Sequence, residues 1–231
     1  MIRRALLVAG LLALCSVLAS AGPVVLTFEG LQNSEPVDNF YNGGTGGFGS
    51  GPGPSLGISF TDNSQAFIQD EDGGSLNAAG LPSPDTGLVF LSGAAATMNV
   101  PAGFTTGFSF FYSAINVPGV INVWSGLDDG GTLLATLTLP VTPSEVGSNP
   151  ACTDGIEPFC PLVPIGVSFS GTAMSVDFGG TENQIVFDDI TLGSATAGGG
   201  TPSVPEPSTF AMLGLGVALT GLRAIRRKQA R

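Results

Sequence analysis

The chain has 231 residues and a formal net charge of −11, yet its seven basic residues lie only at the two ends, as Arg3 and Arg4 and then Arg223, Arg226, Arg227, Lys228 and Arg231. Gly22 to Val204 therefore holds 17 of the 18 acids (all but Glu206), no base and no histidine. A body of one sign repels nucleic acid and anionic lipid, which are gripped through Lys and Arg, and it lacks the side chains that usually act as bases near neutral pH, so most enzyme mechanisms are disfavoured.

Met1 to Ala21 reads as a secretory signal. Arg3 and Arg4 form the charged start, Ala5 to Leu18 the apolar run, and Ala19-Ser20-Ala21 a small-residue cleavage site, so cleavage before Gly22 is expected. Cys15 reads as one more apolar residue of that run, because Leu14 stands where a lipoprotein signal needs a small residue. Removing the two terminal segments leaves about 180 residues, enough for one domain with a core.

From Pro23 onward, short runs rich in Val, Ile, Phe and Thr are broken by Gly, Pro, Asn and Asp, which is the pattern of strands. The clearest runs are Val24 to Glu29, Leu56 to Thr61, Ala66 to Gln69, Leu88 to Ser92, Thr97 to Val100, Phe104 to Ser113, Val120 to Trp124, Leu133 to Leu139, Ile165 to Ser170, Ala173 to Phe178 and Gln184 to Leu192. Phe108, Phe110 and Tyr112 alternate with Gly107, Ser109 and Phe111, and Leu133, Ala135, Leu137 and Leu139 alternate with Leu134, Thr136 and Thr138. No stretch of residues 22–193 keeps a helical period. The expected class is all-β, an antiparallel β-sandwich.

Between the runs lie the candidate sites. Asn42 to Pro54 reads as a flexible surface loop. Its Gly44-Thr45-Gly46-Gly47-Phe48-Gly49 matches the dinucleotide fingerprint in form, but Pro52 and Pro54 forbid the following helix and no Lys is present. Asp70-Glu71-Asp72-Gly73-Gly74 is an acidic turn, but Leu81 stands where a calcium loop needs its last Glu, so it reads as solvated. Asp128-Asp129-Gly130-Gly131 predicts a hairpin turn. Tyr41, Tyr112 and Trp124 are the aromatics able to grip a neutral glycan, with core packing as the competing role.

Cys152 and Cys160 are the cysteines left after signal cleavage, and in an oxidising compartment they most simply form a disulfide, contributing roughly 2–3 kcal/mol on the chain-entropy model. A redox or metal pair would lack both Cys-x-x-Cys spacing and a histidine. In Ile185 to Leu192, alternation places Asp188 on the face of Val186, Ile190 and Leu192. A carboxylate there needs a cation or several donors, and without Lys, Arg or His the cation would be a metal.

Ser194 to Val204 has the composition of a flexible Gly/Ser/Thr linker. Pro205-Glu206-Pro207 then leads into Phe210 to Leu222, thirteen uncharged residues expected to form a single hydrophobic helix, followed by Arg223 and the cluster Arg226, Arg227 and Lys228. At ~1.5 Å per residue the thirteen span about 20 Å, and adding Ala224 and Ile225 with a snorkelling Arg223 brings the segment to a workable span. The basic cluster stays cytoplasmic by the positive-inside rule, which puts the acidic body across the membrane.

This tail, Pro205 to Arg231, resembles the PEP-CTERM sorting signal of Gram-negative bacteria, also called the ice-binding protein C-terminal domain. The resemblance implies recognition at Pro205, Glu206 and Pro207, a membrane-anchored intermediate, cleavage by an exosortase and release to the cell surface or extracellular space in species that make exopolysaccharide and biofilm. The body looks like those of other PEP-CTERM proteins from Asn39 to Ser55, at Phe60 and from Phe108 to Ser113. Separately, Thr27-Phe28-Glu29-Gly30 near the start and Asp188-Asp189 near the end resemble the jelly-roll carbohydrate-binding modules. That likeness implies a jelly-roll-like sandwich with a structural calcium on Glu29 and Asp188, and Asp189 as a further ligand. Acceptance of backbone N–H bonds by Asp188 at a strand edge is the alternative.

The expected function is that of a non-enzymatic surface or extracellular-matrix protein, carbohydrate-binding or associated with exopolysaccharide, with the exosortase and secretion machinery as partners. The alternative is a glycoside hydrolase using paired carboxylates. Ice adhesion would need regular Thr arrays, and Thr136 and Thr138 form only a brief one.

Overall fold

Short β-branched and aromatic runs, each cut off by glycine or proline after a few residues, have no length for helices and must pair with one another. A computed structural model describes residues 22–152, 158–180 and 182–199. The expected signal segment 1–21, the sorting motif and the C-terminal helix all lie outside these described residues. Twelve strands form: β1 (Val24–Leu26), β2 (Glu35–Pro36), β3 (Ser59–Phe60), β4 (Ser64–Ile68), β5 (Thr86–Phe90), β6 (Ala95–Phe104), β7 (Gly107–Ser113), β8 (Gly119–Trp124), β9 (Leu133–Leu139), β10 (Val163–Ser168), β11 (Ala173–Gly179) and β12 (Val186–Leu192). Among the described residues the one helical element is a 3-10 turn at Asp70–Asp72, inside the acidic run.

The strands make two antiparallel sheets. One has seven strands in the order β10-β7-β12-β5-β4-β2, with β1 pairing to β12, and the other has five in the order β3-β6-β11-β8-β9. The first strand thus closes on the last, Val24 opposite Leu192.

The period-two pattern of β7 sends Phe108, Phe110 and Tyr112 inward, with exposures of 0, 0 and 3%. Phe110 lies 5.5 to 6.3 Å, ring to ring, from Phe108, Tyr112, Phe178 and Phe187. Since Phe178 belongs to the five-stranded sheet, its edge-on contacts with Phe110 and Phe187 join the two layers into a sandwich, each adding about 0.5–1.5 kcal/mol beyond area burial. A smaller cluster of Phe67, Leu76, Ala78, Val89, Phe159, Leu162 and Val186 packs separately from this main core.

Register shifts interrupt three ladders, one between β6 and β11 at Ala173/Ser175 and two that redirect residues read from the sequence. In β9 the pairing shifts between Val123 opposite Ala135 and Trp124 opposite Leu133, so Leu134 is an extra residue. Leu134 turns to the core, while Leu133, expected on the inner face, is 45% exposed. In β12 the register slips between Asp188 and Thr191, and Asp189 adopts φ 48. Asp188 therefore shares a face with Val186 of the smaller cluster, while Ile190 and Leu192 cross over to join Phe187 in the main core. The grouping of Asp188 with Ile190 and Leu192 is corrected by that one inserted residue.

The glycine-rich loop is also not what its composition suggests. Asn42 bridges Ser55, Gly43 N–H donates to Pro54 O at 3.0 Å, Gly53 N–H to Gly44 O at 2.9 Å and Gly46 N–H to Ser50 O at 3.0 Å. A Cβ on Gly53 would lie 2.4 Å from Phe40 O, and one on Gly46 2.6 Å from Glu35 Oε1, so glycine here permits close packing and not flexibility. Cys152 and Cys160 form the disulfide, both buried, around residues 153–157, which lie outside the description.

Candidate functional site

Of the three aromatic candidates, two belong to the core. Tyr41 is 4% exposed, sits edge-on to Phe28 and Phe40, and its hydroxyl oxygen accepts the Phe28 N–H at 2.6 Å. Burial pushes its proton affinity up, and Asp188 and Glu29 add to the rise. Tyr112 is 3% exposed and donates to Pro140 O at 3.1 Å. Neither offers a ring face to a ligand, which corrects their assignment as glycan contacts. The same alternation that made them visible in sequence had already turned them inward.

Trp124 differs. It ends β8, where Ile121 and Val123 point inward at 0% exposure and leave Asn122 and Trp124 on the outer face of the five-stranded sheet. The partly exposed indole donates its N–H to Asp177 Oδ2 at 3.0 Å. Asp177, on the neighbouring strand β11, also receives the Asn122 amide at 3.2 Å on both oxygens, and the Thr136 hydroxyl donates to Asn122 Oδ1 at 2.9 Å. Leu133, opposite Trp124, extends the apolar edge of this polar row.

The β8–β9 hairpin folds back onto the same face. Asp128 and Asp129 have φ 52 and 58, the left-handed pair that the Asp-Asp-Gly-Gly sequence predicts, since Asp tolerates this region better than most residues. Asn99 donates to Asp128 Oδ1 at 2.7 Å and accepts the Asp128 N–H at 2.9 Å. Asp129 N–H donates to Ser175 Oγ at 3.0 Å, and Thr97 Oγ1 donates to Asp129 Oδ2 at 2.9 Å. The other oxygen, Asp129 Oδ1, is buried and has no hydrogen-bond partner. Burial raises the proton affinity of Asp129, Asp177 and Asp128 raise it further, and the Thr97 bond opposes them.

This surface combines one aromatic ring pinned by a carboxylate, an apolar neighbour, an amide, a hydroxyl and an acceptor without a donor. Both oxygens of Asp177 accept hydrogen bonds from Asn122 and Trp124, which fixes the orientation of the carboxylate and of the indole together.

The acids expected to hold calcium are placed otherwise. Asp188 is fully buried and accepts the Ser83 N–H at 3.0 Å, the Ser83 hydroxyl at 2.7 Å and the Asp189 N–H at 2.7 Å. Burial pushes its pKa up to about 7 against the lowering effect of the Ser83 bonds. Glu29 Oε1 accepts the N–H groups of Asp85 and Thr86, both at 3.0 Å. Burial raises Asp189, and the charge of Glu29 adds to it. Carboxylate and hydroxyl oxygens are the right chemistry for Ca²⁺, which takes six to eight of them. Here, however, Glu29 and Asp188 are turned to N–H donors, and among the described residues no three acidic side chains form a group that could hold a metal ion. The donor set does not fit a calcium shell, and Asp188 adopts the hydrogen-bonded alternative.

A further buried acid went unread in the sequence. Glu35 is 0% exposed and accepts the backbone N–H groups of Gln32 at 2.7 Å, Phe48 at 2.9 Å and Ser50 at 3.0 Å, fixing the glycine-rich loop with Phe48 60% exposed at its tip. Nothing in the run Glu35-Pro36 distinguishes it from a surface acid.

Residues 203–228 match the PEP-CTERM protein-sorting motif. The match includes Pro205, Glu206 and Pro207 together with Arg223, Arg226, Arg227 and Lys228. No curated protein matches the chain. Among solved structures, the K2 cleaved adhesin domain of Lys-gingipain is 10% identical with a TM-score of 0.44, covering 74% of this chain and 99% of that one. The CBM22-1 and GH10 modules of Clostridium thermocellum endo-1,4-β-D-xylanase 10B, complexed with xylohexaose, are 11% identical with a TM-score of 0.38, over 75% of this chain and 28% of that one. A carbohydrate-binding module of Cellvibrio mixtus lichenase 5A, complexed with cellotriose, is 11% identical with a TM-score of 0.31, over 57% and 87%.

Proposed function

We propose that this protein is exported across the inner membrane, held there by its C-terminal segment until an exosortase removes it, and displayed at the cell surface or in the extracellular matrix as a non-enzymatic polysaccharide-binding module. The sorting motif at 203–228 supports the route. The binding reading is carried by one observation: the partly exposed Trp124 indole, pinned by Asp177, lies in one row with the Asn122 amide and the exposed Thr136 hydroxyl on the outer face of the five-stranded sheet. A sugar ring stacks its C–H face on an aromatic and supplies hydroxyl donors to carboxylates and amides. A neutral glycan also avoids the repulsion that the all-acidic body imposes on anionic polymers.

Pull-down on cellulose, xylan and the producing cell's own exopolysaccharide tests this reading. Trp124→Ala is expected to weaken retention at least about ten-fold, or ~1.4 kcal/mol, with the melting temperature little changed. Equal retention of the variant on every polysaccharide that holds the wild type would reject the site. Mass spectrometry of the mature protein from native cells tests the route: loss of residues 1–21 and of the segment beyond Pro205 is expected, and a retained Phe210 to Arg231 in every molecule would overturn the processing.

A further inference from the structure

Ser194 to Gly199 has the composition of a free tether, all Ser, Ala, Thr and Gly, and chain termini stay loose unless something ties them down. Here something does. Gly193 N–H donates to Gly107 O at 3.0 Å, Thr106 Oγ1 donates to Gly193 O at 2.6 Å, and Ser109 Oγ donates to Ser194 O at 2.9 Å. Further along, Gly198 N–H donates to Thr191 Oγ1 at 3.1 Å. Ser109 and Thr191 are both fully buried.

The sheet is shaped to receive this segment. Ser109 pairs with Gly166 across β7 and β10, and Gly107 lies two residues away on the same face. A Cβ on Gly107 would come within 2.5 Å of Ala195 N, and one on Gly166 would meet Ala195 O. Three small residues on adjacent strands thus form a trough one backbone wide, on the outer face of the seven-stranded sheet. A Cβ on Gly198 would in turn lie 3.4 Å from the Phe111 ring.

We propose that residues 194–199 are a C-terminal strap that belongs to the folded body, so that the sorting segment can be cut away without loosening it. The matched motif begins at residue 203, so residues 200–202 alone separate it from the strap. Cleavage near Pro205 leaves the strap on the body, and the mature domain is closed by its own last residues. The domain boundary then falls after Gly199, not after Gly193. The strap itself is independent of the polysaccharide reading; only its relation to processing rests on the sorting motif.

The test uses the full chain in detergent, as wild type, Gly166→Val and Gly198→Pro, with limited proteolysis and segment-resolved hydrogen exchange. Wild type should be cut beyond residue 199 and not within 194–199, and should keep its melting temperature once the tail is gone. Gly166→Val should speed cleavage within 194–199 at least ten-fold. Gly198→Pro lies outside every strand, removes the bond to Thr191 and forbids φ 61; it should give the same increase while β10 stays protected. Unchanged cleavage within 194–199 in both variants would overturn the strap. So would a wild-type body that melts several degrees lower once the tail alone is removed.

Discussion

Glu35 and Asp188 on one hand, and Asp129 and Asp177 on the other, stand in a body without a cation and are held in opposite ways. The first pair is fully buried and met by donors from its own chain: three backbone N–H groups for Glu35, and Ser83 with the Asp189 N–H for Asp188. Burial alone would raise Glu35, but the bonds from Ser50, Gln32 and Phe48 outweigh it and hold it below its ordinary value. The second pair sits on the open sheet face, one member pinning an indole and the other with an oxygen left over. Carboxylates that fold their own donors around them hold structure, whereas Asp177 on the outer face holds the indole on which the proposed glycan would stack.

That contrast can be broken most forcefully at Glu35. Glu35→Ala leaves three N–H groups without their acceptor and should cost on the order of 3 kcal/mol in urea unfolding, with loss of exchange protection at Phe48 and Ser50. A cost within about 0.5 kcal/mol would mean that the loop does not depend on its acid.

The next effect is on pH. Asp188 titrates at about 7 in the fold against 3.8 ordinarily, so the folded state holds its proton more tightly than the unfolded chain does. The stabilisation is complete below about pH 4 and is lost as pH rises through 7. Unfolding at pH 5 and pH 8 should therefore differ by roughly 2 kcal/mol in favour of pH 5. Asp38, Asp129 and Asp189 shift in the same sense, and Glu35 opposes them only below its ordinary 4.5. Asp188→Asn should flatten the difference, and an unchanged slope would assign it elsewhere.

On the open face the effect falls on binding. Asp177→Ala frees the indole and should weaken polysaccharide retention several-fold, about 1 kcal/mol, while changing stability less than Glu35→Ala does. The smallest expected effect belongs to calcium: adding Ca²⁺ or a chelator should move the melting temperature by less than about 1 °C, since a ligand shifts stability only through binding the fold. A rise of several degrees would show a cation taking the place of Ser83 beside Asp188.

The strands of the sandwich were largely legible in the sequence because period-two alternation in β7 or β8 follows directly from which residues face a core. The bulges at Leu134 and Asp189 were not legible, since one inserted residue reverses the inward face without altering composition. Glu35-Pro36 is too short to carry a pattern and owes its strand to its neighbour β4. The glycine-rich loop and the strap looked flexible because glycine signals freedom and close approach by the same letter. At the open face Trp124 could be named, but its companions Asp177 and Asp129 could not, because a hairpin and two strands distant in sequence assemble them. Asp188 was visible as a problem, while its solution, Ser83, stands 105 residues earlier.

The closure of β1 on β12 has a consequence for timing. A sheet whose first strand finds its partner only in the last cannot complete its hydrogen bonding until nearly the whole body is available. Non-local pairing of this kind is slow to form, and slowness keeps a chain threadable. On the proposed export route, the topology that ends as a closed sandwich thus delays its own completion until most of the body has crossed.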